Sequence, residues 1–152
     1  MLFAAWALHD VEEALAFPAT CDVLAEDTGI EEFRIDQRES WVAVGLAGAV
    51  LLLACQRGVV TQGRSAFYRA VVAGLEAHVV THLAASVIRR GYTAGVATAV
   101  PVMLPGAVFA RQELRRTGMS LTTRDYLNGA AILIPVALLC QVIARMVPSQ
   151  QQ

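Results

Sequence analysis

The chain has 152 residues, of which 56% are hydrophobic and 16% are charged, and its net charge is −1 at pH 7. Soluble domains carry about 25% charged residues, so this composition argues against an ordinary soluble domain and favours a membrane protein. A charge this close to zero gives no electrostatic reason to expect nucleic acid as a partner.

Apolar segments follow one another along the chain, at residues 2–17, 40–56, 66–88, 92–110 and 126–144. A membrane-spanning helix needs roughly 20 mostly apolar residues, with a range of about 17–25. The last four segments meet this length, whereas the first is shorter and is expected to stop at Pro18. Because the alternation typical of barrel strands is absent, the sequence predicts an all-α integral membrane bundle of about five transmembrane helices, in one domain over residues 1–152.

The distribution of arginine predicts the orientation of this bundle. The loops after the second and fourth segments carry seven arginines, and the opposite side carries five. Because loops rich in Lys and Arg stay in the cytoplasm, we expect a cytoplasmic N-terminus. The acidic loop at residues 20–39 then faces outside. We expect a solvated loop there, with a short surface helix or a cap over a site as alternatives.

His9, Glu12 and Glu13 interrupt the first apolar segment. Ionisable side chains in hydrocarbon are costly and by default indicate a functional site. On a helix, His9 and Glu13 are four residues apart and share a face, while Glu12 is displaced to one side. The spacing allows all three to meet one metal ion or one substrate group. Asp10 points elsewhere and is left out of the predicted site.

A second polar group, Glu76, His78 and His82, interrupts the third segment. The two histidines are four residues apart, so their imidazoles can converge on one ion. Glu76 lies roughly 120–160° around the helix from them, and an ion pair with Arg69 is its alternative role. The first and third segments run in the same direction. Because the two polar groups lie at similar depths, they can meet if the helices are neighbours.

Imidazole and carboxylate together suit zinc, iron or manganese. The predicted ligands of one or two divalent transition metals, zinc or iron, are His9, Glu12, Glu13, His78 and His82. The predicted catalytic carboxylates are Glu12, Glu13 and Glu76, one of which would act as a general base. Metal-free acid/base chemistry by the same groups stays open.

Three further polar residues are candidate substrate contacts: Arg90, Tyr92 and Asn128. Arg90 would hold an anionic group near the mouth of the site, or it would lie at the membrane interface in a tight turn. Asn128 lies early in the fifth segment. No serine-hydrolase elbow, P-loop or dinucleotide-binding motif is present, so those enzyme classes have no support.

Residues 9–13, His-Asp-Val-Glu-Glu, resemble the motif that names the HXXEE family of small, multi-spanning bacterial membrane proteins. His78, His82 and the turn at residues 90–95 are also similar to the family, with Ala94 where a proline is expected. The resemblance covers roughly residues 1–110. It implies a bacterial inner-membrane protein with a metal-type or acid/base site, without specifying the reaction.

These observations predict a membrane-embedded, metal-dependent enzyme that acts on a lipophilic small molecule or lipid. Oxidation, hydrolysis and isomerisation all fit the predicted ligands. One alternative is a metal-free isomerase or cyclase, in which Glu12 or Glu13 protonates the substrate. Another is a proton or metal-ion transporter, although the absence of an internal repeat argues mildly against it.

Overall fold

A computed structural model describes residues 1–148, which form helices joined by short turns, without a β-strand. The α-helices are α1 (Leu2–Thr28), α2 (Gln37–Val60), α3 (Ala66–Arg89), α4 (Val96–Thr98), α5 (Leu104–Arg116) and α6 (Thr123–Met146). A 3-10 turn, Glu31–Phe33, precedes α2, and a π-helical segment, Ala99–Met103, joins α4 to α5. The predicted all-α fold is confirmed.

Three helices, α2, α3 and α6, are long and apolar enough to cross a membrane. Their most apolar stretches have mean hydropathies of 1.8, 1.6 and 2.1. They correspond to the second, third and fifth apolar segments of the sequence. Helix α1 and the stretch from α4 to α5 do not combine the length and the hydropathy that a membrane-spanning helix needs. Length and composition therefore support three of the five predicted spans.

Helix α1 does not stop at Pro18, as the sequence predicted, but continues to Thr28. A proline inside a helix has no N–H to offer, so it leaves the carbonyl four residues earlier without its usual partner. Here that carbonyl belongs to Ala14, and it accepts a hydrogen bond from the side-chain amide of Gln37 on α2. The first part of the predicted solvated loop, residues 20–28, is therefore helical.

The helices pack closely where glycines allow it. Gly129 of α6 lies directly against the backbone of Gly74 on α3, and a Cβ on Gly129 would approach the Gly74 nitrogen to 2.7 Å. This contact brings α3 and α6 together along their lengths.

The π-helical segment contacts both α1 and α3. It contains Pro101, which cannot donate a backbone hydrogen bond, and Pro105 lies in the first turn of α5. Short π-helical segments of this kind are frequent at functional sites. The segment lies between the two helices that carry the polar groups, so it forms part of their surroundings.

Candidate metal centre

Helices α1 and α3 bring four potential ligands together. His9 and Glu13 come from α1, and His78 and His82 come from α3. The Nε2 atom of His82 lies 3.2 Å from Nε2 of His9 and 2.8 Å from Nε2 of His78. The carboxylate of Glu13 lies 3.3 Å from Nε2 of His82 and 3.9 Å from Nε2 of His78. The two helices therefore meet at the level that the sequence predicted.

The separations of these atoms match the dimensions of a metal site. One ligand atom from each of the four side chains lies within 4.8 Å of all the others. Tetrahedral zinc with bonds of about 2.0–2.1 Å places its ligands about 3.3 Å apart. The four atoms are therefore close enough to one another that they could hold one divalent ion.

His82 is held by the turn that precedes α4. Its Nδ1 donates a hydrogen bond of 2.9 Å to the carbonyl of Ala94, whose N–H in turn donates to the hydroxyl of Thr20. Gly95 has a φ of +83°, and a Cβ at that position would clash with the imidazole of His82. Only glycine combines this backbone conformation with so close an approach. The turn thus orients His82 with Nε2 towards the other ligands.

His9 is oriented by Thr98 and Glu12. The hydroxyl of Thr98 donates its only proton to the carboxylate of Glu12, so its oxygen accepts from Nδ1–H of His9 at 2.8 Å. His9 is completely buried. Its tautomer, assigned from these partners, leaves the lone pair of Nε2 facing the centre of the cluster.

His78 follows the same pattern. The hydroxyl of Thr81 donates to the carbonyl of His78, and its oxygen lies 3.2 Å from Nδ1 of the same histidine. All three imidazoles therefore use Nδ1 for an outer partner and direct Nε2 inward. Three nitrogen lone pairs at these separations repel one another unless a cation lies between them. A proton relieves one pair, whereas a metal ion satisfies all three nitrogens and the nearby carboxylate.

Glu12, predicted as a ligand and a catalytic carboxylate, lies beside this cluster rather than in it. One of its oxygens accepts from the hydroxyl of Tyr92 at 2.6 Å and from the N–H of Ala97 at 3.1 Å. The other oxygen accepts from the N–H of Thr98 at 2.7 Å and from its hydroxyl. Glu12 thus binds free N–H groups of α4 and joins α1 to α4 and the turn before it.

None of the three predicted substrate contacts belongs to the four-residue cluster. The hydroxyl of Tyr92 is committed to Glu12, and partial burial together with this hydrogen bond raises the pKa of Tyr92 to about 12. Arg90 is an exposed residue at the end of α3 with a left-handed backbone. Asn128 is exposed on α6. Their roles in substrate binding stay predictions.

Glu76, predicted as a catalytic carboxylate, belongs to a separate polar group. Its carboxylate lies 3.4 Å from the guanidinium of Arg111 on α5 and accepts a hydrogen bond of 2.8 Å from Tyr126 on α6. The alternative pairing with Arg69 is wrong, because Arg69 lies 3.3 Å from Asp125. These contacts join α3 to α5 and α6. The helix periodicity had already placed Glu76 away from the two histidines.

A cavity of about 450 Å³ lies next to the candidate metal centre. Glu13 and His78 line it, and so does Asp10, which is only 6% exposed. Asp10 is not one of the four clustered residues, as the sequence predicted, but it lines the cavity beside them. The spacing of residues along α1 could not predict this cavity, because its walls come from four helices: α1, α2, α3 and α6.

A family model described as "Protein of unknown function with HXXEE motif" matches residues 1–110. No curated protein matches the chain, and no solved structure matches it. The motif residues have distinct positions: His9 and Glu13 lie in the cluster, and Glu12 anchors the start of α4. The chain belongs to the HXXEE family.

Proposed function

We propose that the protein is a membrane-embedded enzyme that binds one divalent transition metal, zinc or iron, and acts on a lipophilic substrate. The observation that carries this proposal is the convergence of three Nε2 atoms and the carboxylate of Glu13 on one point. Three imidazoles and one carboxylate are a common ligand set for either metal. The arrangement offers a place for one ion, fewer than the two that the sequence allowed.

The cavity supports the substrate class. Its volume of about 450 Å³ is within the usual range of about 300–1,000 Å³ for small-molecule sites. Most of its lining residues are apolar, and all of these except Trp6 and Phe17 of α1 come from the three helices that are apolar enough to cross a bilayer. A hydrocarbon chain could therefore move from the membrane into the cavity while its apolar surface stays in contact with apolar groups.

The four ligands would have two different roles, depending on whether they line the cavity. His9 and His82 do not line the cavity and would bind the metal on the side away from it. Their orientations are fixed by hydrogen bonds to Thr98 and to the carbonyl of Ala94. Glu13 and His78 line the cavity and would face the substrate. A bound divalent cation supplies Lewis acidity to a substrate oxygen. Glu13, which lines the cavity, would be the carboxylate that accepts a proton from the substrate.

Elemental analysis of the detergent-purified protein tests this proposal. We expect about one zinc or iron per chain, and loss of that metal in His9→Ala and Glu13→Gln. Glu76→Gln is the matched control, because it makes the same change to a partly buried glutamate outside the cluster. A folded wild-type protein that binds neither metal would overturn the proposal and favour metal-free acid/base chemistry. Metal flux through liposomes would favour transport instead.

A further inference from the structure

The polar residues of the cavity are few and lie on different walls. The polar lining residues come from all four helices: Asp10, Glu13, Ser40, His78, Thr81 and Gln141. Glu13 and His78 belong to the candidate metal centre. Asp10, Ser40, Thr81 and Gln141 lie outside that centre. Ser40 on α2 and Gln141 on α6 are the polar lining residues from the two helices that carry no residue of the metal centre.

Gln141 presents an unused hydrogen-bond acceptor. Within residues 1–148, its side-chain oxygen Oε1 is buried and has no hydrogen-bond partner. Buried acceptors normally have a partner, and leaving one without a partner costs free energy. The missing partner must be a donor, because a carbonyl oxygen can only accept. Gln141 lines the cavity, so a rotation of its side-chain amide would turn this oxygen towards a molecule in the cavity that can supply the donor.

Ser40 lies near the same end of the cavity. The end of α6 is held against the start of α2, where Arg38 donates to the carbonyl of Val147. One turn further along α2, Ala43 packs in a small buried cluster with Cys140, the neighbour of Gln141. Ser40 itself is 1% exposed and lines the cavity. Its hydroxyl can donate or accept, so it complements the acceptor on Gln141.

We infer that Gln141 and Ser40 form a subsite for the hydroxyl group of a lipophilic alcohol, whose hydrocarbon part fills the apolar cavity. This inference rests on the proposed function, because it takes the cavity to be the substrate site. The hydroxyl donates to Oε1 of Gln141 and accepts from Ser40. An alkane of the same length makes the same apolar contacts with the cavity walls but leaves Oε1 of Gln141 without a hydrogen-bond donor.

Tryptophan fluorescence can detect binding in this cavity. The chain has two tryptophans. Trp6 lines the cavity, whereas Trp41 is 42% exposed. In a Trp41→Phe background, a brominated alkyl chain that enters the cavity quenches Trp6. The probes are 11,12-dibromododecan-1-ol and 1,2-dibromododecane, each added to the full chain in nanodiscs at equal mole fraction.

We expect the alcohol to quench Trp6 at a concentration about tenfold lower than the alkane, the effect of one buried hydrogen bond. Gln141→Leu should abolish this preference and leave alkane binding unchanged, and Ser40→Ala should reduce it. The matched control is Gln112→Leu, which makes the same change at an exposed glutamine on α5 that does not line the cavity. That control should keep the tenfold preference.

The outcomes separate this inference from the proposed function. Equal quenching by both probes, or a preference that survives Gln141→Leu, overturns the inference and leaves the metal centre intact. Quenching by neither probe overturns the inference together with the proposed lipophilic substrate. A preference for alcohol that depends on Gln141, in a protein without metal, supports the inference and contradicts the proposed metalloenzyme.

Discussion

The Nδ1 atom of His9 on α1 lies 2.8 Å from the hydroxyl oxygen of Thr98 at the end of α4. Because Thr98 gives its proton to Glu12, it can only accept from His9. The hydrogen bond therefore fixes which nitrogen of His9 carries the proton. A residue from outside both polar groups of the sequence thus leaves the lone pair of Nε2 of His9 free.

Thr98→Val removes this acceptor at nearly constant volume. We expect metal affinity to fall by about 10–100-fold, the usual effect of losing the partner of a histidine ligand. Thr98→Ser restores the hydroxyl and should restore most of the affinity. Competition with a chelator of known affinity measures the change. A Thr98→Val protein with unchanged affinity would contradict the role assigned to Thr98.

Gly95→Ala is expected to displace His82. Alanine is disfavoured at the φ of +83°, by about 1–2 kcal/mol, and its Cβ would clash with the imidazole of His82. We expect a lower melting temperature and loss of metal in the same variant. Gly91→Ala is the matched control in the same turn, where a Cβ meets only the carbonyl of Arg89 at 3.9 Å. Equal metal content in both variants would argue against the clash.

Glu12→Gln should mainly reduce the stability of the metal-free protein, whereas Glu13→Gln should mainly reduce metal binding. Glu12 accepts four hydrogen bonds at the start of α4, and an amide has one oxygen with which to accept them. We expect Glu12→Gln to destabilise the metal-free protein by about 2–3 kcal/mol. Glu13→Gln should reduce metal binding and leave the metal-free protein about as stable as the wild type. Thermal unfolding after chelator treatment, with metal analysis in parallel, separates the two effects.

The contribution of Tyr92 should depend on pH only under strongly alkaline conditions. The pKa of Tyr92 is raised to about 12, from about 10 in an unfolded chain. The neutral form is therefore favoured in the folded protein. Its contribution is complete below about pH 10 and is lost as the pH rises through about 12.

Tyr92→Phe should accordingly cost a constant amount of stability from about pH 6 to pH 9. We expect about 1 kcal/mol or less, because Tyr92 is 60% exposed and solvent weakens its hydrogen bond to Glu12. Thermal unfolding of both proteins across this range measures the difference. A cost that disappears near neutral pH would show that another group controls this contact.

The sequence by itself determined the apolar helices, the HXXEE family and most of the cluster. A helix places residues four apart on one face, so His9 with Glu13, and His78 with His82, could be paired from spacing alone. The cost of ionisable groups in apolar segments singled out both pairs. Glu76 could be separated from the histidines by the same periodicity, but its partner could not be identified.

Only the tertiary structure decided how the helices are turned towards one another. Periodicity fixes the relative directions of side chains on one helix, but not which neighbour each face meets. For that reason spacing groups Glu12 with the ligands although it contacts Thr98, and spacing does not indicate that Asp10 lines the adjoining cavity. Gln141 and Thr98 lie far along the chain from the motif. They reach the site because helix packing brings their faces to it.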